Sequence, residues 1–263
     1  SITIKGGEIT VNSTGDGVKS DNTEDTTKGY IIIEGGSLNI TSGGDGIQAE
    51  TTLTISDGDI NIVSGGGSSN AATHAESFQM GPWANPSNTS SSSSSETGIA
   101  KALKAGTALT VDGGNITIDS ADDSIHTNDT VTINGEYIVI DVAGDGVDSN
   151  GSITMTNGTV IVNGPENSGN GALDYDTTFD ISGGVFVAAG NNGMVQAPST
   201  SSSQASINVS LPSSSSNSMV SILDASGNTI LSFTPSKTYQ SVVISTPELV
   251  IGSNYSVYYG GSN

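Results

Sequence analysis

No cysteine occurs among the 263 residues, which excludes disulfides, zinc–thiolate sites and thiol chemistry. Basic residues are scarce as well: six, all lysine, face 27 acids, for a formal net charge of −21. Phosphate binding needs clustered cations, so nucleic acid and anionic membrane surfaces are poor partners, whereas cations and neutral surfaces suit the chain. No apolar run approaches the roughly 20 residues of a membrane span. Tryptophan occurs once, at Trp83, and histidine twice, at His74 and His126. There is neither an initiator Met nor a signal peptide, so the start at Ser1 predicts a processed product or a fragment.

What the chain has in abundance is glycine, 35 residues of it, placed in a repeat. The unit is an alternating apolar strand, a Gly-Gly-like turn, a second alternating strand and an acidic turn. Copies begin with ITIKGGEITV (2–11), IIIEGGSLNI (31–40), LTISDGDINI (53–62), LTVDGGNITI (109–118), VTINGEYIVI (131–140), ITMTNGTVIV (153–162) and FDISGGVFVA (179–188). The second turn residue falls at 7, 36, 58, 114, 136, 158 and 184. A period of 22 explains every spacing, with insertions of 7, 34 and 4 residues. Such a unit cannot bury its apolar face alone, but stacked as coils of a parallel β-helix all copies bury theirs together. An antiparallel sandwich would impose no such register.

The expected fold is therefore all-β: a right-handed parallel β-helix of about seven coils over residues 1–202, with an insertion at 65–98 that carries Trp83 and a serine run. Residues 203–263 leave the repeat and read as β-strands joined by turns. Val139, Ile161 and Val187 fall in one outward column, and the C-terminal strands are the nearest cover for that apolar stripe.

The acidic turn recurs as GDGV (15–18), GDGI (44–47), DDSI (122–125) and GDGV (144–147). Stacking aligns Asp16, Asp45, Lys101, Asp123, Asp145, Gly171 and Asn192 in one column. A second column holds Lys19, Gln48, Lys104, His126, Asp148, Asp174 and Val195, and a third Asp21, Glu50, Gly106, Asn128, Asn150, Asp176 and Ala197. Two carboxylates ~5 Å apart repel by about 3 kcal/mol at an effective dielectric near 20. Calcium relieves such repulsion, since it accepts 6–8 oxygen ligands in loose geometry. Two clusters are expected to hold it: Asp145, Asp148, Asp174, Asp176 and Asn150, and separately Asp16, Asp21, Asp45 and Glu50. The bland alternative is that Gly-Asp-Gly is simply a turn. Zinc is disfavoured, with no cysteine and two histidines.

Lys101 and Lys104 interrupt acidic columns, which fits charge balance, or else a general base beside bound calcium. His126 has the same two readings. For sugar rings the candidate aromatic faces are Tyr175, expected to project outward between Asp174 and Asp176, the outward Tyr137, and Trp83; plain local packing is the alternative for each.

The coils GGSLNITSGGDGIQAE (35–50) and GGNITIDSADDSIHTN (113–128), and the ending ILDASGNTILSFTPSKTYQSVVISTPELVIGSNYSVYYGG (222–261), resemble the carbohydrate-binding domain-containing β-helix proteins of clostridia and related Gram-positive bacteria. That resemblance implies an extracellular right-handed β-helix with bound calcium, similar in fold to pectate lyases. It also implies binding of plant polysaccharide, both cellulose and acidic pectic sugars, without established catalysis. Motif positions carry the calcium role to Asp16, Asp45, Asp122, Asp123, Asp145 and Asp148. The chain departs from the family at NGALDYD in the sixth coil, and in lacking further β-helix sequence ahead of the first coil. The expected function is that of an extracellular, calcium-binding and non-catalytic β-helix that binds plant cell-wall polysaccharide, with Tyr175, Tyr137, Trp83, Lys101 and Lys104 as the candidate sugar contacts. A pectate lyase using Lys101 or Lys104 is one rival. A filament subunit, paired through the open strand SITIKGGEITV, is another.

Overall fold

The computed structural model describes residues 1–70, 100–212 and 216–261. Most of the expected insertion, with His74 and Trp83, lies outside the described residues. Alternation of apolar and polar residues in each repeat produces three parallel sheets that enclose one core. The first sheet stacks Ile2–Ile4, Ile31–Ile33, Thr52–Ile55, Ala108–Val111, Thr130–Ile133, Ser152–Met155 and Thr178–Ile181. The second stacks Glu8–Ser13, Ser37–Ser42, Asp59–Ser64, Asn115–Ser120, Tyr137–Val142, Thr159–Asn163 and Val185–Gly190. The third stacks Val18–Ser20, Ile47–Ala49, Leu103–Ala105, Ile125–Thr127, Val147–Ser149 and Leu173–Tyr175. The chain thus builds six complete coils and a seventh of two strands.

The register follows the 22-residue repeat without a slip through these sheets. Inward columns such as Ile31, Leu53, Leu109, Val131, Ile153 and Phe179 stack like on like. From the second coil onward they are fully buried, each side chain contributing about 1.5–3 kcal/mol by leaving water. β-Branched residues suit this place, because their restricted side-chain torsion fits the pleat. Phe179 and Phe186 close the last coil in an edge-to-face contact, ring centres 5.1 Å apart.

Beyond the last coil the second sheet changes direction. Ser241–Ser245 pairs antiparallel with Val185–Gly190, and Ser206–Ser210 pairs antiparallel with Ser241–Ser245. A separate antiparallel sheet of Thr229–Phe233, Met219–Leu223 and Ser256–Gly261 follows. A second core forms here: Val187 is 1% exposed, packed among Leu211, Val220, Tyr239, Val242 and Ile244. Its column neighbours Val139 and Ile161 are half-buried. Residues 236–238 reach back to the coils: Ser236 Oγ donates to Asp141 Oδ1 at 2.6 Å, and Lys237 Nζ donates to the Val142 carbonyl at 2.6 Å.

Candidate functional site

The acidic turns run along one corner of the solenoid, just before the third sheet, and their role begins as a backbone one. The Oδ1 atom of each turn aspartate accepts the amide N–H of the same position one coil on. Asp16 takes the Asp45 amide at 2.9 Å, Asp45 that of Lys101 at 2.9 Å, Asp123 that of Asp145 at 2.8 Å, and Asp145 that of Gly171 at 2.6 Å. This ladder orients one oxygen of each carboxylate toward the protein and leaves the other for a cation. The glycine before the aspartate makes room for it: a Cβ on Gly144 would lie 2.6 Å from Asp123 Oδ1.

The second oxygens are neutralised unevenly. In the early coils, Asp16 Oδ2 meets Lys19 Nζ at 2.8 Å, and Asp45 meets Lys104 Nζ at 3.1 Å. Burial opposes ionisation of Asp16, but the Lys19 hydrogen bond and the Asp45 amide outweigh it and hold the carboxyl below its ordinary value. In the middle, Lys101 Nζ pairs with Asp123 and, at 3.3 Å, with Asp122. Burial works against the Lys101 ammonium, yet those two carboxylates hold it above its ordinary value. A lysine so held keeps its proton at neutral pH and is no general base. Its side chain is 12% exposed, so it is spent within the column rather than offered to a sugar. Lys101→Met is expected to destabilise the fold, toward the lower end of the roughly 3–5 kcal/mol seen when one partner of a buried pair is removed. Denaturant melts at fixed pH would check this, and an unchanged midpoint would show the pair to be dispensable.

In the later coils the balance fails. Asp145 is pushed up to about 7, by burial first and then by Asp123, Asp148 and Asp174, against the lowering effect of the Gly171 amide. Asp174 is likewise raised, by burial and then by Asp148 and Asp176. His126 Nδ1 bonds Asp148 Oδ2 and lies 3.9 Å from Asp123 Oδ2. Asp123, His126 and Asp148 bring three ligand atoms within 4.8 Å of one another, the one such group among the described residues. Sequence reasoning left His126 out of the metal set. Its signal was the shared register of Lys104, His126 and Asp148.

The remaining site residues divide. Asp174 is half-buried, while Asp176 and Asn150 are exposed at the same corner, with Asn150 bonded to Asn128 at 3.3 Å. Asp21 is exposed and Glu50 half-buried, and no cluster of ligand atoms forms around them or around Asp16 and Asp45 among the described residues. The Asp174 column ends differently from expectation: Gln196, not Val195, meets Asp174, its Nε2 donating to Oδ1 at 2.7 Å. The third sheet has no seventh strand among the described residues, so the strict register lapses there.

Tyr175 corrects the sequence reading. It follows Ser149 in an inward column, packs against the core edge-on to Phe179 at 6.4 Å, and donates its hydroxyl to the Ala197 carbonyl at 2.8 Å. Period-two alternation from the buried Leu173 sends Asp174 out and Tyr175 in. The ring therefore turns toward the core, partly buried, rather than projecting outward. Tyr137 does face outward, 44% exposed. A groove of about 440 Å³ lies elsewhere, between the end of the solenoid and the 249–255 turn, and none of its lining residues is charged.

Neither a curated protein nor a solved structure matches the chain. A family profile described as carbohydrate-binding domain-containing protein matches residues 1–146, more than half of the sequence and the coils through most of the fifth. The chain belongs to the carbohydrate-binding domain-containing family.

Proposed function

We propose that the chain is an extracellular, non-catalytic module that binds plant cell-wall polysaccharide, using calcium at the corner of the later coils to engage acidic pectic sugars. The observation that carries this is the uncompensated acid patch in a carbohydrate-binding chain. The early turns hold their own lysines, whereas Asp145, Asp148, Asp174 and Asp176 gather with a single nearby imidazole. The donor types suit the ion, since carboxylate oxygens and the Asn150 amide are hard ligands and calcium fills the rest of its 6–8 positions with water or with a ligand's carboxylate. The ligand atoms already within 4.8 Å of one another are those of Asp123, His126 and Asp148. Supplied there, calcium would offset the mutual repulsion of the acids and bridge to a uronate. The early cluster of Asp16, Asp21, Asp45 and Glu50 has less need of a metal, because Lys19 and Lys104 already serve it. A lyase reading through Lys101 is disfavoured by the held proton on that residue.

The test is retention on immobilised polygalacturonate. Retention is expected with calcium and its loss with a chelator, and no unsaturated product should accumulate by ultraviolet absorbance. Asp148→Asn should reduce retention about tenfold, the effect of losing one charged contact worth roughly 1.5 kcal/mol. Equal retention with and without chelator sinks the calcium part. Accumulating unsaturated product sinks the non-catalytic part.

A further inference from the structure

The negative charge is unevenly shared along the chain. Residues 203–263 hold two acids, Asp224 and Glu248, and one lysine, Lys237, for a net charge of −1. The remaining 25 acids and five lysines leave −20 on residues 1–202. The C-terminal strands are thus the end that another acidic body can approach. They also carry the most exposed large apolar side chains among the described residues. Val250 and Ile251 are 59% and 83% exposed, and Tyr258 and Tyr259 are exposed too. Val250 and Ile251 line the uncharged groove together with Ile207, Leu249 and Tyr255. A contiguous apolar surface of this kind marks an association site.

A bare sheet edge borders that groove. Ser206–Ser210 is the last strand of the nine-stranded sheet and, among the described residues, pairs with Ser241–Ser245 alone. The Leu211 amide bonds the Gln240 carbonyl, and antiparallel alternation turns the Ile207 and Val209 amides the same way. The amides of Ser206, Asn208 and Ser210 therefore point off the sheet, and no described residue accepts them. The strand has no charge, proline or bulge, the devices that normally blunt an edge. Two apolar rows also run out at it. Val187, Ile244 and Ile207 form one, and Ala189, Val242 and Val209 form the other. The first two members of each row are buried, whereas Ile207 and Val209 are half-buried.

We infer that this edge pairs with the same edge of a second copy of the chain, the two Ser206–Ser210 strands running antiparallel about a twofold axis at Asn208. The strand reads alike in both directions: serine, aliphatic, asparagine, aliphatic, serine. Pairing about Asn208 sets Ser206 opposite Ser210, Ile207 opposite Val209 and Asn208 opposite itself, the self-complementarity that an isologous contact requires. In that register each free amide faces a free carbonyl, and each apolar row continues into its counterpart. Charge selects this end over the others. Five strand spacings, ~24 Å, separate the last coils of the two copies, well beyond the ~8 Å screening length at physiological salt. The acidic coils then point away from each other, and the pairing avoids the repulsion that meets any contact made through them. One strand pair and a groove rim fall short of the roughly 800 Å² per partner of a standard interface, so the dimer is weak and concentration-dependent. The pairing does not rest on the carbohydrate-binding reading; what it adds to that reading is two sets of coils in one particle.

Sedimentation velocity on the full chain tests it, from about 1 µM to about 1 mM, the range over which a weak interface assembles. The mass should rise from monomer to dimer and stop there, unchanged by chelator. Asn208→Lys opposes two like charges at the axis, and Ser210→Pro removes an amide that no described residue accepts. Each change acts twice across the axis. Each is expected to weaken the dimer about tenfold while the thermal melt stays as in the wild type. Wild-type dimerisation in both variants overturns the edge, as does a wild-type chain that stays monomeric at the highest concentration. Growth past the dimer assigns the contact to a non-closing surface such as the open first coil, and a dimer that dissolves in chelator assigns it to the acidic corner; either result overturns the twofold pairing.

Discussion

Gly146→Ala is expected to destabilise the protein by about 1.5–4.5 kcal/mol, more than any other single methyl added to the acidic corner. Gly146 follows Asp145 in the turn, where neighbouring coils approach closely. A Cβ there would collide with the Ala172 carbonyl oxygen of the next coil and stand 2.5 Å from Val162 Cγ1. The carbonyl cannot retreat freely, because it accepts the Val147 amide at 3.3 Å while the neighbouring Gly171 carbonyl accepts the Gly146 amide at 3.0 Å. Overpacking costs about 1–3 kcal/mol, and a weakened inter-coil hydrogen bond adds about 0.5–1.5 kcal/mol. The backbone here does not need the left-handed region, so the penalty is one of space rather than strain. Gly227→Ala provides the contrast in position, since a Cβ there meets nothing within 4 Å. Its cost comes from a φ of +85° alone, roughly 1 kcal/mol. Chemical denaturation of both variants checks the order, and equal midpoints would mean that the coils can separate at the turn without penalty.

The same close approach explains why so much of the fold could be read from the sequence. A coil spaced by the strand-pairing distance tolerates no drift, so marks at 7, 36, 58, 114, 136, 158 and 184 translate directly into the observed register. The columns Asp16 to Gly171 and Lys19 to Asp174 were legible for the same reason. Interpretation of those columns was harder. The spacing states that acids stack, but not that each spends one oxygen on the next coil's amide, because that depends on the turn's geometry. Nor does it state that lysine ammonium groups divide the row into a balanced early part and an unbalanced later part.

Tyr175 illustrates a different limit. The acids on both sides suggested an exposed ring, whereas counting by two from Leu173 places it inside. Local polarity misled where periodicity was the stronger physical constraint. Past Gly171 the repeat weakens, and Gln196 replaces the expected Val195 because no third-sheet strand enforces the register there.

Asp145→Asn is expected to raise the melting temperature at pH 8 in chelator, and to flatten the pH dependence of stability. The Asp145 carboxyl is pushed up to about 7 in the folded chain, chiefly by burial and then by Asp123, Asp148 and Asp174. Lys101 does not relieve it, being engaged by Asp122 and Asp123, and His126 is bonded to Asp148. Between about pH 4 and 7 the folded state keeps a proton that the unfolded chain has released, so stability falls as pH rises through that window and is lowest above it. A shift of about 3 units caps the effect near 4 kcal/mol, and partial solvent access reduces it to about 2 kcal/mol. Asparagine retains an oxygen for the Gly171 amide and carries no charge, so about 2 kcal/mol should return at pH 8, or roughly 4–8 °C for a chain of this size. Calcium should act on the wild type in the same direction, by binding only the folded state, and should act less on the variant. Melts of both proteins at pH 5 and pH 8, with chelator and with calcium, separate the contributions. Parallel pH profiles in chelator would remove Asp145 as the strained acid. A full calcium gain in the variant would place the ion elsewhere than beside it.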